Sequence, residues 1–202
     1  MSTKDILCNF YQEHFELIEE SNGTNHGIVK LIQDDHTVST NRIVATGIDE
    51  DLLKIPHNLK TTIFYEGFNF TYTPTNNHDM RHIKKILQDL TEGKSTFINM
   101  LSADSLKRVS ILATDKKGLC NKTIKYLEQK EYNTESLMEL ERINHKRECN
   151  HAVKLVERAK DYDVTYAFFG SHHFKSKIIQ NYLKANSITY AIFKKKSNIT
   201  IL

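Results

Sequence analysis

The feature that most constrains the fold is the run Val164-Thr165-Tyr166-Ala167-Phe168-Phe169, which stops abruptly at Gly170. A near-continuous apolar run of strand length reads as a strand covered on both faces, the environment of a parallel sheet. A helix is expected from about residue 174 to 185, with Ile178, Ile179, Tyr182 and Leu183 on one face and Asn186 as its stop. Ile188-Thr189-Tyr190-Ala191-Ile192-Phe193 is then a second strand. Strand, helix and strand in that span make a βαβ unit, with parallel strands and a right-handed crossover.

The rest of the chain repeats this alternation. Residues 4–20 place Ile6, Leu7, Phe10, Tyr11, Phe15, Leu17 and Ile18 at helical spacing, which predicts an N-terminal amphipathic helix ended by Ser21-Asn22-Gly23. The core follows over residues 27–194. Strands are expected at 28–32, 62–65 and 109–114, and a further apolar segment, Ile43-Val44-Ala45, stops at Gly47. Residues 68–77 read as a short hairpin or an ordered loop. Helices are expected at about 78–92, 95–106, 118–130 and 134–160, the last long and highly charged. The fold class is a single α/β domain, a mixed and mostly parallel sheet flanked by helices.

Composition narrows the function classes. A net charge of +3 on 202 residues is too small to imply a nucleic-acid partner, and Lys194-Lys195-Lys196 reads as solvated edge charge. The N-terminus lacks the apolar region of a signal peptide, and no apolar run approaches a membrane span. Cys8, Cys120 and Cys149 are odd in number and far apart, as in reduced thiols of a reducing compartment. The expected location is cytoplasmic.

In open α/β sheets, ligands gather at the carboxyl ends of the strands, where side chains from several loops converge. Asp34, Asp35 and His36 follow the first expected strand, Glu66 the next, Asp115 the third, and Gly170-Ser171-His172-His173 the fourth. Each group has a plainer reading: a solvated turn for Asp34 to His36 and for Asp115, surface histidines for His172 and His173. Glu66 after a buried strand is harder to dismiss, since it must sit close to the sheet. The dipole at a helix N-terminus disfavours a protonated imidazole, so a neutral base or ligand is expected at His172-His173. No Cys/His nucleophile is expected at Cys149 with His145 or His151. Phosphate-cradling and serine-elbow motifs are absent from the sequence.

Four of these pieces together resemble the superfamily of erythromycin esterase, haem-binding ChaN-like and TraB/Tiki-type proteins. Leu31-Ile32-Gln33-Asp34-Asp35-His36 is similar to that family's opening Gly-Glu-x-His-like turn, with Gln33 for the glycine and Asp34 for the glutamate. Phe64-Tyr65-Glu66-Gly67 resembles its strand ending in glutamate, and the segment around Arg147 resembles its arginine-bearing helix. Gly170-Ser171-His172-His173 matches its closing Gly-x-x-His, with His173 as the motif histidine.

The resemblance implies a hydrolase-like enzyme acting on a small ester or peptide-like substrate. His173 would be a general base or metal ligand, and Glu66 a second acid/base or ligand. Asp34 and His36 would complete the cluster, and His36, His172, Asp115 and Tyr65 are the expected substrate- or ligand-binding residues. Arg147 would hold a carboxylate or stabilise developing negative charge. A divalent metal on His173 and Glu66 is the implied cofactor. The alternatives are a haem or small-ligand carrier using Tyr65, Tyr166 and the paired histidines, and a catalytically dead interaction protein with a host-cell partner. The long helix could also form a homodimer face.

Overall fold

The computed structural model describes residues 6, 10–25, 27–34, 37–68, 70–74, 85, 88, 96–115 and 133–197. The expected helix at 118–130 lies outside the described residues, as does that at 78–92 except for residues 85 and 88, which are helical. In chain order the elements are β1 (Phe15–Ser21), β2 (Ile28–Asp34), α1 (Val38–Lys54), β3 (Thr61–Phe68), β4 (Phe70–Tyr72), α2 (Phe97–Met100), α3 (Ala103–Arg108) and β5 (Val109–Asp115). There follow α4 (Thr134–Asp161), β6 (Val164–Gly170), a 3-10 turn (Ser171–Phe174), α5 (Ile178–Ala185) and β7 (Thr189–Lys195).

The strands form one sheet in the order β1-β7-β2-β6-β3-β5-β4. Strands β7, β2, β6, β3 and β5 run parallel, and only the edge strands β1 and β4 are antiparallel to their neighbours. This is the mixed, mostly parallel α/β sheet expected. Strands β6 and β7 are parallel, but β2 lies between them. The β2–α1–β3 connection steps over β6, and β6–α5–β7 steps over β2 in the opposite direction. The two helices pack on opposite faces, which gives both crossovers the same hand.

One face of the sheet presents Ile32, Ile63, Ile111, Tyr166 and Phe168 to α1, α2 and α3. The other presents Val29, Leu31, Phe64, Ala167 and Phe169 to α4 and α5. Strand β6 is buried at every position, as its apolar run requires. An ion pair lies inside this core. Asp51 Oδ2 accepts from Lys30 Nζ at 2.5 Å and from the Tyr166 hydroxyl at 2.6 Å, and Lys30 has no exposed surface.

Several local expectations are corrected. The N-terminal helix does not extend to residue 20: residues 15–21 form β1, paired antiparallel with β7. Phe10 and Phe15 stack on each other at 5.1 Å, and Phe10 on Phe193 at 5.5 Å, so this segment reaches the sheet edge as a strand. Antiparallel pairing with β7 and the burial of Phe15 against Phe10 outweigh a helical spacing of apolar residues there. Gly47 does not end an element but lies inside α1, where an added Cβ would meet Tyr11 Cβ at 3.0 Å. Small size at a close approach explains it. The helix expected at 95–106 is two short helices, the second capped by the Ser102 hydroxyl accepting from the Ser105 amide. The helix expected from 174 begins as the 3-10 turn; Lys177, at φ 61°, separates the turn from α5. Among the described residues no helix is long and apolar enough to cross a membrane.

Candidate functional site

Strands β2, β6, β3 and β5 are neighbours and parallel, so their carboxyl ends share one edge of the sheet. The backbone of Asp34 pairs opposite Gly170, and that of Asp115 opposite Phe68. The side chains of Asp34 and Asp115, and the whole of His36, lie outside the described residues. The strand ends singled out in the sequence are therefore brought together, and the parts that can be followed are Glu66, Arg147, His172 and His173.

Glu66 follows Phe64 on the α4-facing side of β3, at a register shift between Tyr65 and Phe68 relative to β5. Such an irregularity turns the strand and re-aims its side chains. Glu66 Oε1 accepts from Arg147 Nη2 at 2.8 Å and lies 2.9 Å from His173 Nε2, while Oε2 accepts from the Gly170 amide at 3.2 Å. Helix α4 runs back across the sheet from this edge. Arg147 and Glu148 stand side by side on its inner surface, both buried. The second of these reaches His173 from the far side, with Oε1 3.5 Å from Nδ1, an ion contact rather than a well-formed hydrogen bond.

The His173 ring is thus enclosed. His151, one turn further along α4, meets it edge-on at 6.0 Å, Phe169 lies at 5.8 Å, and the His172 ring at 3.9 Å. His172 is exposed and is the solvent-side member of the pair.

Electrostatics follow from this geometry. Burial pushes the Glu66 carboxyl up, but His173, Arg147 and the Gly170 amide outweigh it and hold the group well below the usual carboxylate range. Glu148 is likewise raised by burial and lowered on balance, chiefly by His173. Burial alone would depress His173. Glu148 and Glu66 overcome it and raise the imidazole to about 9. The expectation of a neutral imidazole at this turn is corrected for His173: two carboxylates beside the ring outweigh the weak dipole of a single 3-10 turn. It stands for His172, whose pKa is lowered by partial burial and by the charge of His173.

Two other expected residues do not join this cluster. Tyr65 belongs to the opposite face, where it packs edge-on against Phe97 at 5.4 Å. Tyr166 is enclosed on that same face with its hydroxyl on Asp51. Neither tyrosine can share a ligand with the paired histidines. Arg147 does hold a carboxylate, but it is that of Glu66.

Sequence reasoning missed Glu148, although a signal was present. Ile143, Ala152, Leu155, Val156 and Ala159 mark the buried stripe of α4, and Arg147, Glu148 and His151 interrupt it at helical spacing. Charged side chains on a core-facing stripe need partners there. Sequence reasoning also dismissed His145 with Cys149. They are four residues apart, one helical turn, and their Nε2 and Sγ atoms lie 3.6 Å apart on the outer side of α4.

The cluster can hold a cation. Glu66, His172 and His173 each offer a ligand atom, all within 4.8 Å of one another. Two imidazoles and one carboxylate on one side of an ion suit Zn2+, Mn2+ or Fe2+ and leave further coordination positions open. The donor set therefore fits the divalent metal that the resemblance implies, with His172 added to it. Comparison of the chain with protein-family models, with curated proteins and with solved structures found no match in any of the three.

Proposed function

We propose that the chain is a hydrolase-like enzyme of the erythromycin esterase, ChaN-like and TraB/Tiki-type superfamily, acting in the cytoplasm on a small ester or peptide-like substrate. The observation that carries the reading is the convergence of Glu66, Arg147 and His173, the residues on which the resemblance rests, into direct contact at the carboxyl edge of the sheet. In this reading Glu66, His172 and His173 hold a divalent cation. Such an ion supplies Lewis acidity and lowers the cost of deprotonating water at neutral pH.

The chain's own residues do the remaining work. Arg147 and the Gly170 amide fix the Glu66 carboxylate from two directions, so that its orientation is set before any ligand arrives. Enclosure of His173 excludes water from its faces. His172, open to solvent, is the residue a substrate meets first.

The test joins binding and turnover. Purified protein is titrated calorimetrically with Zn2+ and Mn2+ at two pH values, since a ligating imidazole must be neutral. It is then assayed against nitrophenyl esters and chromogenic dipeptides. The expected result is one ion per chain and hydrolysis that chelation abolishes, with Glu66→Gln, His172→Ala and His173→Ala each losing both. A folded parent that binds neither ion and turns over nothing overturns the reading. So do variants that stay folded and as active as the parent.

A further inference from the structure

We infer that Glu148 is a positioning residue of this site: its carboxylate holds Nδ1 of His173 so that Nε2 is presented to Glu66 and to a cation shared with it. The inference rests on the cation reading above and adds a residue that neither the sequence motifs nor the resemblance supplies.

Three observations carry it. Glu148 Oε1 lies 3.5 Å from His173 Nδ1, an ion contact on a buried nitrogen that makes no hydrogen bond of its own, and both side chains are buried, so the contact is sheltered from water. The other nitrogen, Nε2, already faces Glu66, so the two ring nitrogens are assigned to different tasks. Glu148 is also the helical neighbour of Arg147. Consecutive helix residues diverge by about 100°, which lets one turn of α4 serve two separate elements. Arg147 reaches across to the β3 carboxylate, and Glu148 reaches the imidazole on the 3-10 turn.

The chemistry requires such a partner. An imidazole that ligates through one nitrogen keeps its proton on the other, and a carboxylate there fixes tautomer and ring orientation together. Without it, the ring can turn or exchange tautomers, and the ligating lone pair is aimed correctly only part of the time. Ser176 and His172 also bear electrostatically on Glu148, and Arg147 and Glu66 on His173.

The experiment compares the parent with Glu148→Ala and Glu148→Gln, each checked for folding by circular dichroism. Zn2+ affinity is read by competition with a chelating dye, and the His173 ring nitrogens by long-range proton–nitrogen correlation, with and without Zn2+. The expected loss of affinity in Glu148→Ala is about 10- to 100-fold. Glu148→Gln, whose amide oxygen can still accept from Nδ1–H, recovers part of it. In the metal-free protein the Nδ1 resonance of His173 shifts in Glu148→Ala. Glu148→Ala binding Zn2+ within about threefold of a parent that binds it well would overturn the inference. A parent that binds no Zn2+ sinks the cation reading. The metal-free spectra then decide on Glu148, and unchanged His173 nitrogens in Glu148→Ala overturn its role.

Discussion

The ion pair inside the core offers the sharpest test of the packing. Replacing Asp51 with leucine removes the acceptor of both Lys30 Nζ and the Tyr166 hydroxyl, in a place where neither donor can reach water. Removing one partner of a buried ion pair costs about 3–5 kcal/mol, because the charge left behind has lost its compensation. The orphaned Tyr166 hydroxyl adds about 1–3 kcal/mol.

Asp51→Leu should therefore lose about 4–8 kcal/mol, a large part of the roughly 5–15 kcal/mol available to a domain. The melting temperature should fall by at least about 8 °C for a chain of this length. Lys30→Met, which strands the carboxylate with only Tyr166, should lose about 3–5 kcal/mol. The double variant should lose only about 1–3 kcal/mol, the cost of the orphaned Tyr166 hydroxyl, because a buried pair contributes little beyond its apolar replacement. Urea unfolding followed by circular dichroism measures all three; the chain has no tryptophan to report by fluorescence. Single variants within about 1 kcal/mol of the parent, or a double variant as weak as the sum of the singles, would refute the reasoning.

Other expectations follow from single contacts. Burial, then the Asp51 carboxylate, raises the Tyr166 hydroxyl well above its ordinary 10.0, so its contribution is whole below that pH and is lost as pH climbs beyond it. Tyr166→Phe should make the alkaline fall in stability shallower than in the parent, and equal slopes in urea midpoints above pH 10 would contradict this. Gly27→Ala places a Cβ 1.8 Å from the Ala159 carbonyl oxygen, a backbone clash that should cost at least about 1–3 kcal/mol in chemical denaturation. Asn133 caps α4, its side chain accepting from the Ser136 amide at 2.8 Å. Asn133→Ala should cost about 1 kcal/mol and speed amide exchange in the first turn of α4 alone.

Legibility in the sequence varied with the kind of information involved. The run from Val164 to Phe169 disclosed a fully buried strand because burial on both faces leaves no room for polar alternation. The long helix at 134–160 was legible from its charge and length, and the structure ends it one residue later, at Asp161. The segment at 15–21 was misread because Leu17 and Ile18, which gave it helical spacing, are largely exposed on an edge strand. Glu148 was passed over since a glutamate on a charged helix normally faces water. Only the buried stripe shows that this one does not.

By itself the sequence determined the alternation of strands and helices, the covered β6 strand and the placement of acids and histidines after strand ends. All are local properties, set by periodicity and by where apolar runs stop. The tertiary structure decided which strands are neighbours, that β2 separates β6 from β7, and that Tyr65 and Glu66, adjacent in sequence, serve opposite faces. It also decided that Glu66, Arg147, Glu148 and His173 meet. Residues 66 and 173 are brought within 2.9 Å by the pairing of β3 with β6, a long-range register that no local pattern encodes.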